Sequence, residues 1–226
     1  MHIYTDENKS VCLPSVTSIL SFVKIKDEYE SLIKWSNSLG FKHMNYNTTL
    51  SNAADFGTIV HESISHILNH EDIPVALENK VSFNDIDKYN MTINNFIKYC
   101  NTTNMETFFS EKSLLSEKLG YGGTIDWLAK ENNAIVLTDF KTSSDYREYM
   151  LLQLSAYTKL IEDQTDYKID YARIMLVSTK SFTIKTFTKK ELEDAYPKFD
   201  LRFQMFKMYT EQIDTDSNEN SLIIVK

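Results

Sequence analysis

The chain has 226 residues, with 24 Lys and Arg against 32 Asp and Glu, a formal net charge of −8. That balance excludes a generally basic nucleic-acid coat but leaves room for a local basic groove. Two cysteines, Cys12 and Cys100, are too few for a disulfide framework or a four-cysteine zinc or iron–sulfur site, and five Gly with three Pro exclude a low-complexity chain. No apolar run approaches the ~18–20 residues that span a bilayer. The first residues lack the cationic start and apolar stretch of a leader peptide, so a cytosolic protein is expected.

The first hundred residues read mostly as helices. Pro14-Ser15-Val16-Thr17 looks like a turn into a helix start. A second helix is expected from Asp27 to about Ser38, with Tyr29, Leu32 and Ile33 on one face and Gly40 as its stop. A third is expected from about Asn52 to before Pro74, striped by Phe56, Ile59, Val60, Ile64, Ile67 and Leu68. A fourth runs from about Asn84 to Tyr99.

The pattern then changes to strands over Thr107–Leu115, Tyr121–Glu131 and Ala134–Thr142, punctuated by Gly120, Gly122-Gly123 and Asn132-Asn133. A helix follows from about Arg147 to Asp163, then strands over Tyr171–Ser178 and Phe182–Phe187. A last helix covers about Lys190 to Gln212, with Pro197 as a kink or late start. The tail is polar from Asp214 to Asn220 and ends in the apolar Leu222-Ile223-Ile224-Val225, an edge strand or a docking tail. This order predicts an α/β fold, a mixed β-sheet flanked by helices with a helical N-terminal part over 1–104, a core over 105–212 and a tail over 213–226.

If Asn132-Asn133 is a two-residue hairpin loop, Asp126 and Asp139 lie opposite each other, and Lys141 shares their face. Opposed carboxylates repel, and no structural need explains them. A divalent cation with hard oxygen ligands, Mg²⁺ or Mn²⁺, would remove that repulsion. Charge attraction from Lys141 is expected to lower the pKa of Asp139. Gln153 and Tyr157, four apart, share a helix face. His61 lies on a helix apolar along one side; by itself it reads as a core residue. His61 and His66 are five apart, one too many for the zinc-protease helix.

Together, Pro14-Ser15-Val16-Thr17, Gly57-Thr58-x-x-His61, Gly123-Thr124-Ile125-Asp126, Asp139-Phe140-Lys141-Thr142 and Gln153-x-x-x-Tyr157 resemble the RecB-type branch of the PD-(D/E)XK nuclease superfamily. That branch includes phage and CRISPR-associated RecB-like exonucleases and the mitochondrial genome maintenance exonuclease. The resemblance spans roughly residues 13–180 and implies a restriction-endonuclease-like fold. It implies that His61, Asp126, Asp139 and the Phe140 carbonyl bind Mg²⁺ or Mn²⁺, that Lys141 orients the attacking water, and that Gln153 and Tyr157 support the site. Glu111 would match a further acidic residue, and Thr142 and Ser143 would meet a phosphate. Lys34, Lys42, Tyr121 and Arg147 are candidate strand contacts, each read first as an ordinary surface residue.

The implied activity is that of a DNA exonuclease acting on single-stranded ends in replication, recombination or repair. A structure-specific or nicking endonuclease and a non-catalytic nucleic-acid-binding subunit remain alternatives. No helicase-type phosphate loop is present, so a motor would be a separate partner protein. A phage-encoded protein working in a host cytoplasm fits the resemblance.

Overall fold

A computed structural model describes residues 3–5, 12–177 and 182–216, with side chains through 210. A short antiparallel hairpin opens the chain, β1 (Ile3–Thr5) and β2 (Cys12–Pro14). Five helices follow: α1 (Val16–Phe22), α2 (Lys26–Phe41), α3 (Tyr46–Leu68), the single turn α4 (Val75–Glu78) and α5 (Ile86–Thr102). The main sheet is built from β3 (Met105–Ser116), β4 (Tyr121–Glu131) and β5 (Ala134–Lys141), then β6 (Tyr171–Val177) and β7 (Phe182–Thr188). Between β5 and β6 runs α6 (Glu148–Gln164), and α7 (Lys189–Asp216) is the last helix.

The five strands lie side by side in sequence order, antiparallel throughout except that β5 and β6 are parallel. This is the expected mixed sheet flanked by helices. Ile125, Leu128 and Leu137 pack with residues of α1, α6 and α7, such as Val16, Leu154 and Phe203, in one core cluster. Trp127, Ala129 and Phe140 pack with α3 and α5 in the other. Phe96 of α5 sits edge-on to both Trp127 and Phe140 in that second layer. Helix α6 is buried nearly all round, so its core-facing surface is apolar over more than one stripe. Among the described residues, no helix is long and apolar enough to cross a membrane.

The local chemistry explains most boundaries. Ser15 caps α1 by accepting the Ser18 amide at 2.9 Å. Asn45 caps α3 by accepting the Thr48 amide at 3.0 Å, which starts that helix six residues before the expected Asn52. Gly40 does not stop α2; the helix continues to Phe41, and the left-handed residue that closes the turn is His43, at φ 54°. Pro197 lies inside α7, which runs on to Asp216, so the first part of the expected polar tail is helical. Leu222 to Val225 and Ser178 lie outside the described residues.

Asn132 and Asn133 have φ of 49° and 71°, the two positive values a tight hairpin requires. They set the register from Glu131 opposite Ala134 to Trp127 opposite Thr138. Beyond that pair the two strands share no further ladder partners. A strictly alternating strand would place Ile125 and Trp127 on one face, yet they join opposite core layers. The alternation slips at Asp126. On β3, Glu111 lies between Ser110 opposite Trp127 and Lys112 opposite Ile125, and has a left-handed φ of 48°. For a residue with a long side chain that backbone is strained.

Candidate metal centre

The slip in β4 aims Asp126 across the sheet toward α3. Its Oδ2 accepts the backbone amide of Phe140 at 2.8 Å and lies 3.5 Å from His61 Nδ1. Glu111 Oε1 lies 3.6 Å from the same nitrogen. His61, Glu111 and Asp126 thus converge from α3, β3 and β4, and one ligand atom from each falls within 4.8 Å of the others. Asp139 stands next to this trio rather than in it. Its Oδ2 lies 2.6 Å from Lys141 Nζ, and the residue is 1% exposed.

The group is under electrostatic tension. Glu111 Oε1 and Asp139 Oδ1 are buried without a hydrogen-bond partner, whereas Asp139 Oδ2 faces the Lys141 ammonium. Burial alone would lower the pKa of His61, but the carboxylates of Asp126 and Glu111 outweigh it and push the imidazole up to about 10. Burial would raise that of Asp126, but His61, Lys141 and the Phe140 amide hold its carboxyl below the usual range. For Asp139 burial prevails. It raises the carboxyl to about 6, with Asp126 adding to the rise and Lys141 opposing it. The expectation that Lys141 would lower Asp139 is therefore corrected: the attraction is present, but desolvation exceeds it.

Gln153 and Tyr157 lie behind the acids, buried on α6, with Gln153 Nε2 donating to Tyr157 Oη at 3.1 Å. Burial and the charges of Asp139 and Asp126 push the Tyr157 hydroxyl well above its ordinary value, so it stays protonated. Its ring fits over Gly123, where a Cβ would come within 2.5 Å of Cε1. On the other side Gly122 makes room for Tyr4, whose hydroxyl is 2.7 Å from Thr124 Oγ1.

A cleft of about 370 Å³ opens over His61 and Glu111, lined also by Ala53, Ala54, Gly57, Thr58 and Glu62 of α3 and by Thr142. Thr142 approaches Gly57 closely, 3.4 Å from where a Cβ would lie. Ser143 turns away, its hydroxyl donating to the Asp145 carbonyl at 3.3 Å. A larger cavity of about 470 Å³ lies near the far ends of α3 and α5, around His70, Cys100 and Met105, away from the acidic cluster. Of the candidate strand contacts, Tyr121 is withdrawn. It is fully buried, its hydroxyl donating to the Ala156 carbonyl at 3.3 Å. Lys34, Lys42 and Arg147 are at least partly exposed.

The sequence reading missed the contribution of the β1–β2 hairpin, whose three-residue strands carry too little pattern to be seen. It also missed the α3 wall of the cleft beyond Gly57 and Thr58. The run Ala53-Ala54-x-x-Gly57, small residues on a helix whose other face is apolar, was the available signal.

No protein-family profile matches this chain, and no curated protein matches it. Among solved structures, the crystal structure of SSO0001 aligns over 64% of this chain and 73% of its own, at 12% identity and a TM-score of 0.33. A likeness of that size carries no argument about fold or function.

Proposed function

We propose that this chain is a metal-dependent nuclease of the RecB-like kind, hydrolysing phosphodiester bonds of DNA from single-stranded ends. The observation that carries this reading is the convergence of His61, Glu111 and Asp126 from α3, β3 and β4, with the Asp139–Lys141 pair beside them. The donor set fits a divalent cation. Glu111 Oε1 and Asp139 Oδ1 are buried without a hydrogen-bond partner, and the two close carboxylates of Glu111 and Asp126 favour a compensating positive charge. Oxygen donors with one imidazole suit Mg²⁺ or Mn²⁺. His61, Glu111 and Asp126 would hold the ion, with Asp139 as the adjacent acid. When bound, such an ion polarises a phosphoryl oxygen and lowers the pKa of a water.

The chain's own residues supply the rest. Lys141 places a partly buried ammonium at the site, where negative charge grows on the phosphoryl oxygens as the bond breaks. Asp139 fixes that ammonium through the 2.6 Å contact. The Phe140 amide locks the Asp126 carboxylate, so its other oxygen keeps a set direction. Gln153 and Tyr157 support the acids from behind.

Digestion of 5′-labelled and 3′-labelled single-stranded oligonucleotides and of a closed circle, with Mg²⁺, Mn²⁺ or EDTA, tests the reading beside Lys141→Ala. Metal-dependent loss of linear strands only, absent in the variant, is expected. Cutting of the circle would make the enzyme an endonuclease, and no cleavage with either metal would overturn the assignment.

A further inference from the structure

Helix α2 ends at Phe41 and α3 starts at Tyr46, joined by the turn Lys42-His43-Met44-Asn45. Trp35 and Tyr46 pack edge to face across it, with ring centroids 5.3 Å apart. The outer half of α3 is largely solvent-exposed from Asn47 to Asp55, whereas its inner half carries the cleft wall and His61. At the tip, Phe41 is 88% exposed and Met44 47%, beside exposed Lys42 and His43. Apolar side chains so bare at a turn gain nothing for the fold.

The stretch around the turn is free of acids, although Asp27, Glu28 and Glu30 lie at the start of α2 and Asp55 and Glu62 farther along α3. Residues 31–54 contain no Asp or Glu, in a chain with 32 of them. They do contain Lys34, Lys42, His43 and many Ser, Thr and Asn. An acidic protein that must receive a polyanion needs one approach free of like charge. A bare aromatic ring next to a lysine is the combination that holds single strands, by base stacking and phosphate attraction.

We propose that the α2–α3 tip is a remote docking site for the nucleic-acid strand whose phosphate enters the cleft, with Phe41 stacking on a base and Lys42 meeting the backbone. The inference rests on the nuclease reading and adds a second contact point to it. From Asn45 to His61 the helix rises about 24 Å at ~1.5 Å per residue. That distance corresponds to about seven nucleotides at the stacked spacing of ~3.4 Å. At that spacing a stacked strand of four nucleotides in the cleft falls short of the tip, and one of sixteen reaches it.

The test is binding of fluorescent oligothymidylates of four and sixteen nucleotides to the full chain in EDTA, with cleavage of the same strands in Mn²⁺. Wild type should prefer the 16-mer. Phe41→Ala should weaken 16-mer binding about tenfold and shrink the preference for it over the 4-mer by the same factor, whereas Phe41→Trp should retain it. Lys42→Gln should flatten the salt dependence of 16-mer binding by about one phosphate contact. Equal weakening of both lengths, or no change in either variant, overturns the docking site while cleavage by wild type leaves the nuclease reading standing. Failure of wild type to bind or cleave either strand overturns both.

Discussion

Asp126 reaches across to β5 with its side chain, taking the Phe140 amide at 2.8 Å where the backbone ladder has ended. One carboxylate oxygen is thereby committed to holding two strands together. The residue has two jobs, and substitutions can separate them. Asp126→Asn keeps an acceptor for the amide and should stay close to wild type in thermal stability while losing most Mn²⁺ affinity by calorimetry. Asp126→Ala leaves that amide unsatisfied and should cost about 1–3 kcal/mol in addition. Equal stability of the two variants would remove the structural half of the assignment.

Lys141→Ala strands Asp139 in a buried position without its cation. The carboxyl then takes up a proton at neutral pH, so the fold should survive with a modest fall in melting temperature. Cleavage should drop by about 10²–10³ in kcat, the scale of losing one preorganised charge from a phosphoryl-transfer site. Circular dichroism beside a single-turnover assay separates the effects. Full activity would exclude Lys141 from the chemistry.

The imidazole of His61 gives a pH signature in metal-free protein. Its folded pKa, about 10, lies above the ordinary value of 6.5. A group raised on folding contributes stability that is complete below the unfolded pKa and disappears as pH climbs through the folded one. In EDTA, wild type should therefore lose stability between about pH 6.5 and 10 relative to His61→Gln, measured by denaturant melts at each pH. Cation binding must displace the same proton, so calorimetry in buffers of different ionisation enthalpy should record proton release near neutral pH. Parallel pH profiles for the two proteins would contradict the cluster geometry.

Two glycines offer a matched comparison. A Cβ on Gly123 would lie 2.5 Å from Tyr157, whereas one on Gly40 would meet nothing within 4 Å. Gly123→Ala must push Tyr157 off its place behind the acids and should cost about 1–3 kcal/mol together with activity. Gly40→Ala, inside an exposed helix, should add about 0.5–1 kcal/mol. Thermal melts of the pair decide whether close packing of Tyr157 is the constraint at Gly123.

Much of this was legible in the chain because the signals were local. Two adjacent Asn residues with positive φ fixed the register of β4 and β5, and with it the proximity of Asp126 and Asp139. The expected mixed sheet follows from hydrophobic pattern together with the Gly and Asn residues that punctuate it. What the chain could not reveal is non-local. Glu111 joins His61 and Asp126 only because its backbone leaves the strand conformation, and no propensity announces a Glu with φ 48°. The turn of the Asp126 carboxylate toward His61 of α3 is likewise non-local, since strand alternation does not announce the slip. The α3 boundary was misjudged because Asn45 lies outside the apolar stripe used to find the helix.

The site is assembled from pieces very unequal in their distance along the chain. The β4–β5 hairpin, closed by two residues, needs only a short search, and hairpins of this kind form in about 1–10 μs. His61 comes from some 65 residues upstream and can meet Asp126 only when α3 docks on the sheet, after a much larger loss of chain entropy. The acids are thus expected to gather before the imidazole arrives. During that interval a cation in solution would find oxygen ligands alone, and its capture there would favour the final docking of α3.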